Sequence, residues 1–218
     1  MQGEFNLQKV VDSYIKENSN DTPPEDFKFR VSDSGRCHLF RFWKRQRRPF
    51  SNPYPENNRR TMQIGNMIHS FFQDVLEASN VLEHKEFLLE DEHRIGHVDM
   101  IVRINDKRIL YELKTANSRA FQYVSKDNNI LHSMQAYTYS LMLPFRVDDV
   151  RIAYISKEDM EIKEFSVLNI NDIASKVNQD WKILIDAWEK QKEPAPNPQG
   201  WECRYCVYLS DCKYDNKR

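Results

Sequence analysis

Asp99, Glu112 and Lys114 are the residues of this sequence best spaced to do chemistry together. They lie in GHVDMIVRINDKRILYELKT, residues 96 to 115. Apolar and polar residues alternate there on both sides of Asn105-Asp106, the pattern of two strands joined by a tight turn. With the turn centred between those two residues, 104 pairs with 107 and 99 with 112. Directly opposed residues of an antiparallel pair share a face, and a strand repeats every two residues. Asp99, Glu112 and Lys114 then face one way and Leu113 the other. A slip of one residue would separate the carboxylates.

Adjacent carboxylates repel, and burying them without a cation is costly. Two readings are open. One is a surface cross-strand pair in which Lys114 neutralises Glu112, worth under ~1 kcal/mol. The other is a hard-cation site, because oxygen ligands suit Mg²⁺ or Mn²⁺. An ion held there activates water and neutralises charge on a phosphate. Lys114 would then orient or deprotonate the attacking water, or hold the phosphate.

The surrounding elements must position these groups. Residues 5–17 and 32–47 read as helices, the second with Ser32 or Ser34 as N-cap. Residues 61–79 place Ile64, Ile68, Phe71, Phe72 and Val75 at helical spacing. Strands are expected near 84–90, 94–104, 108–115, 149–156 and 161–167, with helices at 131–143 and 170–191. KEPAPNPQG then breaks the chain before the tail WECRYCVYLSDCKYDNKR. The order describes a mixed α/β core with a small appendage, divided into an N-terminal helical region (1–60), a core (61–192) and a cysteine-rich tail (193–218).

The chain's 218 residues suffice for one sizeable core, and a net charge of −1 describes a globular chain, not one that coats nucleic acid uniformly. No apolar run is long enough to span a bilayer. The N-terminal residues carry no secretory pattern, so a cytoplasmic location with no membrane partner is expected. Five glycines and no internal repeat argue against a propeller, a solenoid or a glycine-rich nucleotide cradle.

Charge is concentrated in RCHLFRFWKRQRRPFSNPYPENNRR, residues 36 to 60, where eight basic residues face one acid, Glu56. Phe40, Phe42, Trp43, Phe50 and Tyr54 are interleaved with them. Basic groups meet phosphates and aromatic faces stack on unpaired bases, a combination suited to single-stranded nucleic acid. A solvated helix face with core aromatics is the plainer reading of the same pattern.

Cys203, Cys206 and Cys212 form C-x2-C-x5-C, and Cys37 stands far upstream. In a reducing compartment these are not a disulfide framework. The generic reading of such a tail is a structural zinc site of four thiolates, with buried thiols as the remaining option.

Asp99 followed by Glu112-Leu113-Lys114 resembles the D…ExK signature of the PD-(D/E)XK nuclease superfamily. No proline precedes Asp99, and GHVD instead resembles the G-x-x-D form of the RecB-like branch. His69 in GNMIHSFFQDVLE resembles that branch's helical histidine, and Gln135 and Tyr139 in QAYTY its Q-x-x-x-Y motif. One upstream cysteine plus three in the tail, with SDSGRCHLFRFWK, resembles the iron–sulfur subset of the branch, which includes CRISPR-associated Cas-four exonucleases.

The resemblance implies a restriction-endonuclease-like fold: a mixed sheet flanked by helices, with a cysteine-rich iron–sulfur appendage packing on the N-terminal region. It implies a Mg²⁺- or Mn²⁺-dependent DNase, an exonuclease on single-stranded ends. His69, Asp99, Glu112 and the Leu113 carbonyl would hold metal, Lys114 would position or activate water, and Gln135 and Tyr139 would hold the strand. Cys37, Cys203, Cys206 and Cys212 would hold a 4Fe–4S cluster clasping the chain ends. Beside them, Arg41, Lys44, Arg45 and Arg48 would guide DNA. Partners would be DNA and CRISPR integrase or recombination proteins. A non-catalytic or weakly catalytic DNA-end-binding subunit of a CRISPR adaptation or recombination complex and a repair-type endonuclease are the alternatives.

Overall fold

The computed structural model of the protein describes residues 6–18, 26–125 and 129–214. One six-stranded sheet organises them. Its strands are β1 (Phe29–Arg30), β2 (Leu82–Glu90), β3 (Arg94–Ile104), β4 (Lys107–Ala116), β5 (Asp149–Ser156) and β6 (Ile162–Ser166). The order is β1-β3-β4-β5-β6, with β2 also paired to β3. The β1–β3 and β4–β5 pairs are parallel, so the sheet is mixed. A parallel pair needs a crossover, and α4 (Ser118–Gln122) and α5 (Ile130–Met142) supply it between β4 and β5.

The β3–β4 turn lies where the alternation puts it. Asn105 and Asp106 both have positive φ, 48° and 63°, as a two-residue turn matching strand twist requires. Ile104 pairs with Lys107 and Met100 with Tyr111. The ladder ends there, and towards its start β3 instead takes β1 as a neighbour at Arg94 and Ile95. Ile95 also pairs with Glu90 of β2, so β1 occupies the edge that β4 has left. The sheet therefore forks between residues 96–99 of β3 and 112–114 of β4.

Helix α3 (Glu56–Ala78) covers one face, packing Ile68, Phe72 and Leu76 on Met100, Val102, Tyr111 and Leu113. On the other face α2 (His38–Arg45), α5 and α6 (Ile173–Glu189) bury Phe29, Phe42, Met134, Tyr139, Trp181 and Leu184. Helix α1 (Leu7–Glu17) lies against α3 and buries none of its residues.

Several expectations need correction. Helix α3 starts at Glu56, so a division at 60/61 falls inside it, and β1 ties the N-terminal region into the core sheet. Ile64, Phe71 and Val75 do not join Ile68 in the core but remain exposed. The expected helix at 32–47 is shorter: residues 31–33 make one 3₁₀ turn and Gly35 reverses the chain. Gly35 has a φ of +72°, and a Cβ there would meet Leu131 and Met134 at 2.7 Å. Ser34 is buried and donates to the Val31 carbonyl, while Cys37 takes the N-cap position of α2.

Candidate active site

The fork is lined by His69, Asp99, Glu112, Lys114, Gln135 and Tyr139, so the sequence-predicted residues come together in one cleft. Lys114 Nζ donates to Glu112 Oε1 at 2.6 Å and to Gln135 Oε1 at 3.0 Å. Gln135 Nε2 donates to the same Glu112 oxygen at 2.6 Å. Asp99 Oδ2 accepts the Leu113 N–H at 2.6 Å, replacing the strand-to-strand bond that β3 would otherwise make. A strand residue presents its N–H and C=O to the same edge, so the Leu113 carbonyl also opens towards the fork. His69 Nδ1 lies 3.7 Å from Asp99 Oδ1.

Glu112 is 2% exposed, and its Oε2 has no hydrogen-bond partner. Burial, and then the Asp99 charge, push its pKa up to about 8 despite Lys114. Burial alone would lower Lys114, but Glu112 and Asp99 outweigh it and hold the ammonium above its usual value. A buried carboxylate with one orphaned oxygen beside a second carboxylate is a site short of positive charge. Its oxygen-rich donors, with one imidazole, suit Mg²⁺ or Mn²⁺. Among the described residues, no three His, Cys, Asp or Glu side chains close on one point as a finished metal cage.

Gln135 and Tyr139 share a face of α5, but both are buried. Gln135 spends its amide on the Glu112–Lys114 pair, and Tyr139 packs under Gly96, where a Cβ would meet the Tyr139 hydroxyl at 2.7 Å. Both brace the cluster from within.

Glu86 was not anticipated. It stands opposite Asp99, between the paired Lys85–Met100 and Phe87–Val98, and lines the same cleft. Gln73 Nε2 donates to Glu86 Oε1 at 2.7 Å and to the Asp99 carbonyl at 3.1 Å. The pairing arithmetic that joined 99 to 112 would have found it if applied to the preceding hairpin.

The basic segment turns inward. Arg41 is buried, pairs with Asp180 at 2.6 Å and lies 4.1 Å from the Trp181 ring. Arg45 is buried, donates to the Phe27 carbonyl, and stacks on Phe29 and Trp188. Lys44 is taken by Asp33 at 2.6 Å, and Arg48 lies 4.1 Å from the Trp43 ring. The expectation that α2 offers Arg41 and Arg45 to DNA is corrected: their guanidinium groups hold the helix to α6.

Cys37, Cys203, Cys206 and Cys212 line one pocket between α2 and the tail, with no disulfide among them. Burial pushes the Cys37 and Cys206 thiols up, and the Cys206 thiol is raised further by Cys37 and Cys212. The pocket is held together by other groups. Glu202 accepts from Cys37 N–H and Arg36 Nε, Asn52 N–H donates to the Val207 carbonyl, and Tyr208 packs on Phe40, Trp43 and Phe50.

Residues 93–213 match the PD-(D/E)XK nuclease superfamily. The chain belongs to that superfamily. The matched span holds Asp99, Glu112, Lys114 and the three tail cysteines, while His69, Glu86 and Cys37 lie outside it. Membership makes the protein a nuclease of a class that uses divalent metal, with DNA as the implied substrate. No curated protein matches the chain. A solved structure titled "Crystal structure of SSO0001" is similar in fold, with a TM-score of 0.61 and 19% identity over 95% of this chain and 96% of that one. Among the described residues, no helix is long and apolar enough to cross a membrane.

Proposed function

We propose that this nuclease is an exonuclease that hydrolyses phosphodiester bonds at single-stranded DNA ends, with Mg²⁺ or Mn²⁺ at the fork and a 4Fe–4S cluster in the cysteine pocket. The observation that carries the catalytic part is the orphaned, buried Glu112 Oε2 beside Asp99 and Lys114. Asp99, Glu112, His69 and the Leu113 carbonyl would hold the divalent ion. When bound, the ion supplies charge neutralisation at the phosphate and a more acidic water.

The chain's own residues do the rest. Lys114, kept protonated by its two carboxylate neighbours, donates to Glu112 and Gln135, which favours holding a water or phosphate oxygen over abstracting a proton. Gln135 fixes both members of the pair, and Tyr139 under Gly96 fixes the helix that carries Gln135. The cluster reading is supported by the four cysteines lining one pocket, two of which, Cys37 and Cys206, have thiols pushed up by burial. An integrase or recombination complex is the partner class this reading supports.

The test is anaerobic purification followed by Mn²⁺-dependent digestion of linear and circular single strands. Exonuclease action consumes the linear strand from an end and spares the circle. Cleavage of the circle would make the enzyme an endonuclease.

A further inference from the structure

The catalytic cleft does not end at Lys114. A second cleft, of about 290 Å³, continues from it and shares Ser32, Lys114 and Gln135 with the first. The lining changes character on the way. The first cleft carries Glu86, Asp99 and Glu112, whereas the second carries Arg36 and Lys114 and no carboxylate. At its far end stand Trp201 and Tyr205, 51% and 52% exposed, on the tail.

The segment that carries these two rings is anchored. Glu202, between them in sequence, is buried and accepts from Gln199 N–H at 2.7 Å, Arg36 Nε at 3.1 Å and Cys37 N–H at 3.3 Å. The bonds that hold Arg36 on the cleft wall therefore also hold the segment bearing Trp201 and Tyr205. Asp33 steadies Arg36 at 3.3 Å without lining the cleft.

We infer that this second cleft is the track of the substrate's single strand, whose phosphates pass Lys114 and Arg36 and whose unpaired base stacks on Trp201 or Tyr205. The inference rests on the nuclease reading and adds a subsite to it. A pair of exposed rings on a groove lined by Arg36 and Lys114 fits unpaired bases, since a duplex hides its base faces. The groove's continuity with the catalytic residues favours the substrate over a protein partner. It also reassigns the nucleic-acid role expected of Arg41 and Arg45 to Arg36 and the tail aromatics.

The test uses the full-length, cluster-loaded chain carrying Glu112→Gln to block cleavage. The probe is an end-labelled oligothymidylate of about twelve nucleotides, long enough to cross both clefts. Adding Trp201→Ala and Tyr205→Ala should weaken binding about tenfold or more, because base–aromatic stacking is worth that much per base. Replacing the same residues by Phe, which keeps a stacking face, should restore most of the affinity. A 5-iodouracil strand should photo-crosslink to residue 201 or 205. Unchanged affinity in the alanine variant overturns the track while the nuclease reading stands. If the alanine variant weakens and the phenylalanine variant does not recover, a crosslink at 201 or 205 upholds the track and its absence overturns it. A wild-type chain that neither cuts with Mn²⁺ nor binds the strand removes both.

Discussion

At the catalytic fork a carboxylate is buried against its preference: Glu112 has a like charge beside it, one oxygen without a partner and a pKa near 8. In the cysteine pocket the thiols sit among aromatic rings, and the surrounding groups are satisfied by one another. The first region is arranged around charge, with one buried carboxylate oxygen left unpartnered. The second is held by ring packing and by the hydrogen bonds of Glu202 and Asn52. The residues proposed to do chemistry are held in strained electrostatics, and the groups that close the cysteine pocket are paired with one another.

The sharpest break of this contrast is at Glu112 and Lys114. Glu112→Gln or Lys114→Ala should each reduce cleavage about a hundredfold or more, since each removes a charge aimed at the reacting centre. Glu112→Gln should leave the melting temperature unchanged or raise it, because it removes a buried like charge. Activity above a tenth of wild type in both variants, in a timed digestion assay, would sink the assignment.

Metal exchange probes the same region. Mg²⁺ and Mn²⁺ should support turnover, and Ca²⁺ should permit strand binding with little cleavage, because a larger, loosely coordinated ion fits the compact geometry poorly. Digestion that runs unchanged in excess EDTA would remove the divalent-metal mechanism.

The cysteine pocket should respond in stability instead. Anaerobic protein is expected to be brown, with about four irons and four sulfides per chain. Closing the long loop from Cys37 to the tail is worth up to about 5 kcal/mol in the chain-entropy treatment used for disulfides. Cys37→Ala should lower the melting temperature of the loaded protein, while chelated wild type and chelated variant should melt close together because Glu202, Asn52 and Tyr208 still dock the tail. A loaded Cys37→Ala protein as stable as wild type would show that packing alone closes the ends. One zinc per chain would replace the cluster and keep the clasp.

Arg41 sharpens the contrast from a third position, a charge used for structure. Arg41→Ala leaves Asp180 buried with His38 and the Gly35 N–H as its remaining partners among the described residues, and should cost about 3–5 kcal/mol. That corresponds to a fall in melting temperature of about 10 °C. The salt dependence of DNA binding by the folded fraction should not change, since the guanidinium meets no phosphate. A reduced salt slope would restore the DNA-guiding reading of α2.

These outcomes track what was legible in the sequence. The register of β3 and β4 could be read because local turn chemistry and strict alternation fix it, and it placed Asp99, Glu112 and Lys114 on one face. The fork could not, because it depends on β1, a two-residue strand with no pattern of its own, arriving from 65 residues upstream. Glu86 is legible by the same pairing, 86 facing 99 across the β2–β3 hairpin, while its positive φ, 46°, is not. The basic residues of α2 were misjudged because what covers them, Trp181, Trp188 and Asp180, comes from α6. Amphipathic counting sees one helix at a time. Helical spacing alone likewise does not tell Ile64, Phe71 and Val75, which stay exposed, from Ile68, Phe72 and Leu76, which pack on the sheet.

The smallest expected effect separates packing from polar contact within the tail itself. Tyr208 is fully buried, its ring meeting Phe40, Trp43 and Phe50 at centroid distances of 5.9, 5.6 and 5.5 Å. Its hydroxyl donates to the Arg48 carbonyl at 3.2 Å. Tyr208→Phe keeps the ring contacts and gives up that bond, a loss of about 1 kcal/mol, or about 3 °C by calorimetry. Tyr208→Ala empties the pocket between α2 and the tail and should cost about 3–5 kcal/mol. If packing holds the tail, the two variants will differ by several degrees in chelated protein. Equal losses would mean that the single bond to Arg48, not ring packing, carries the docking.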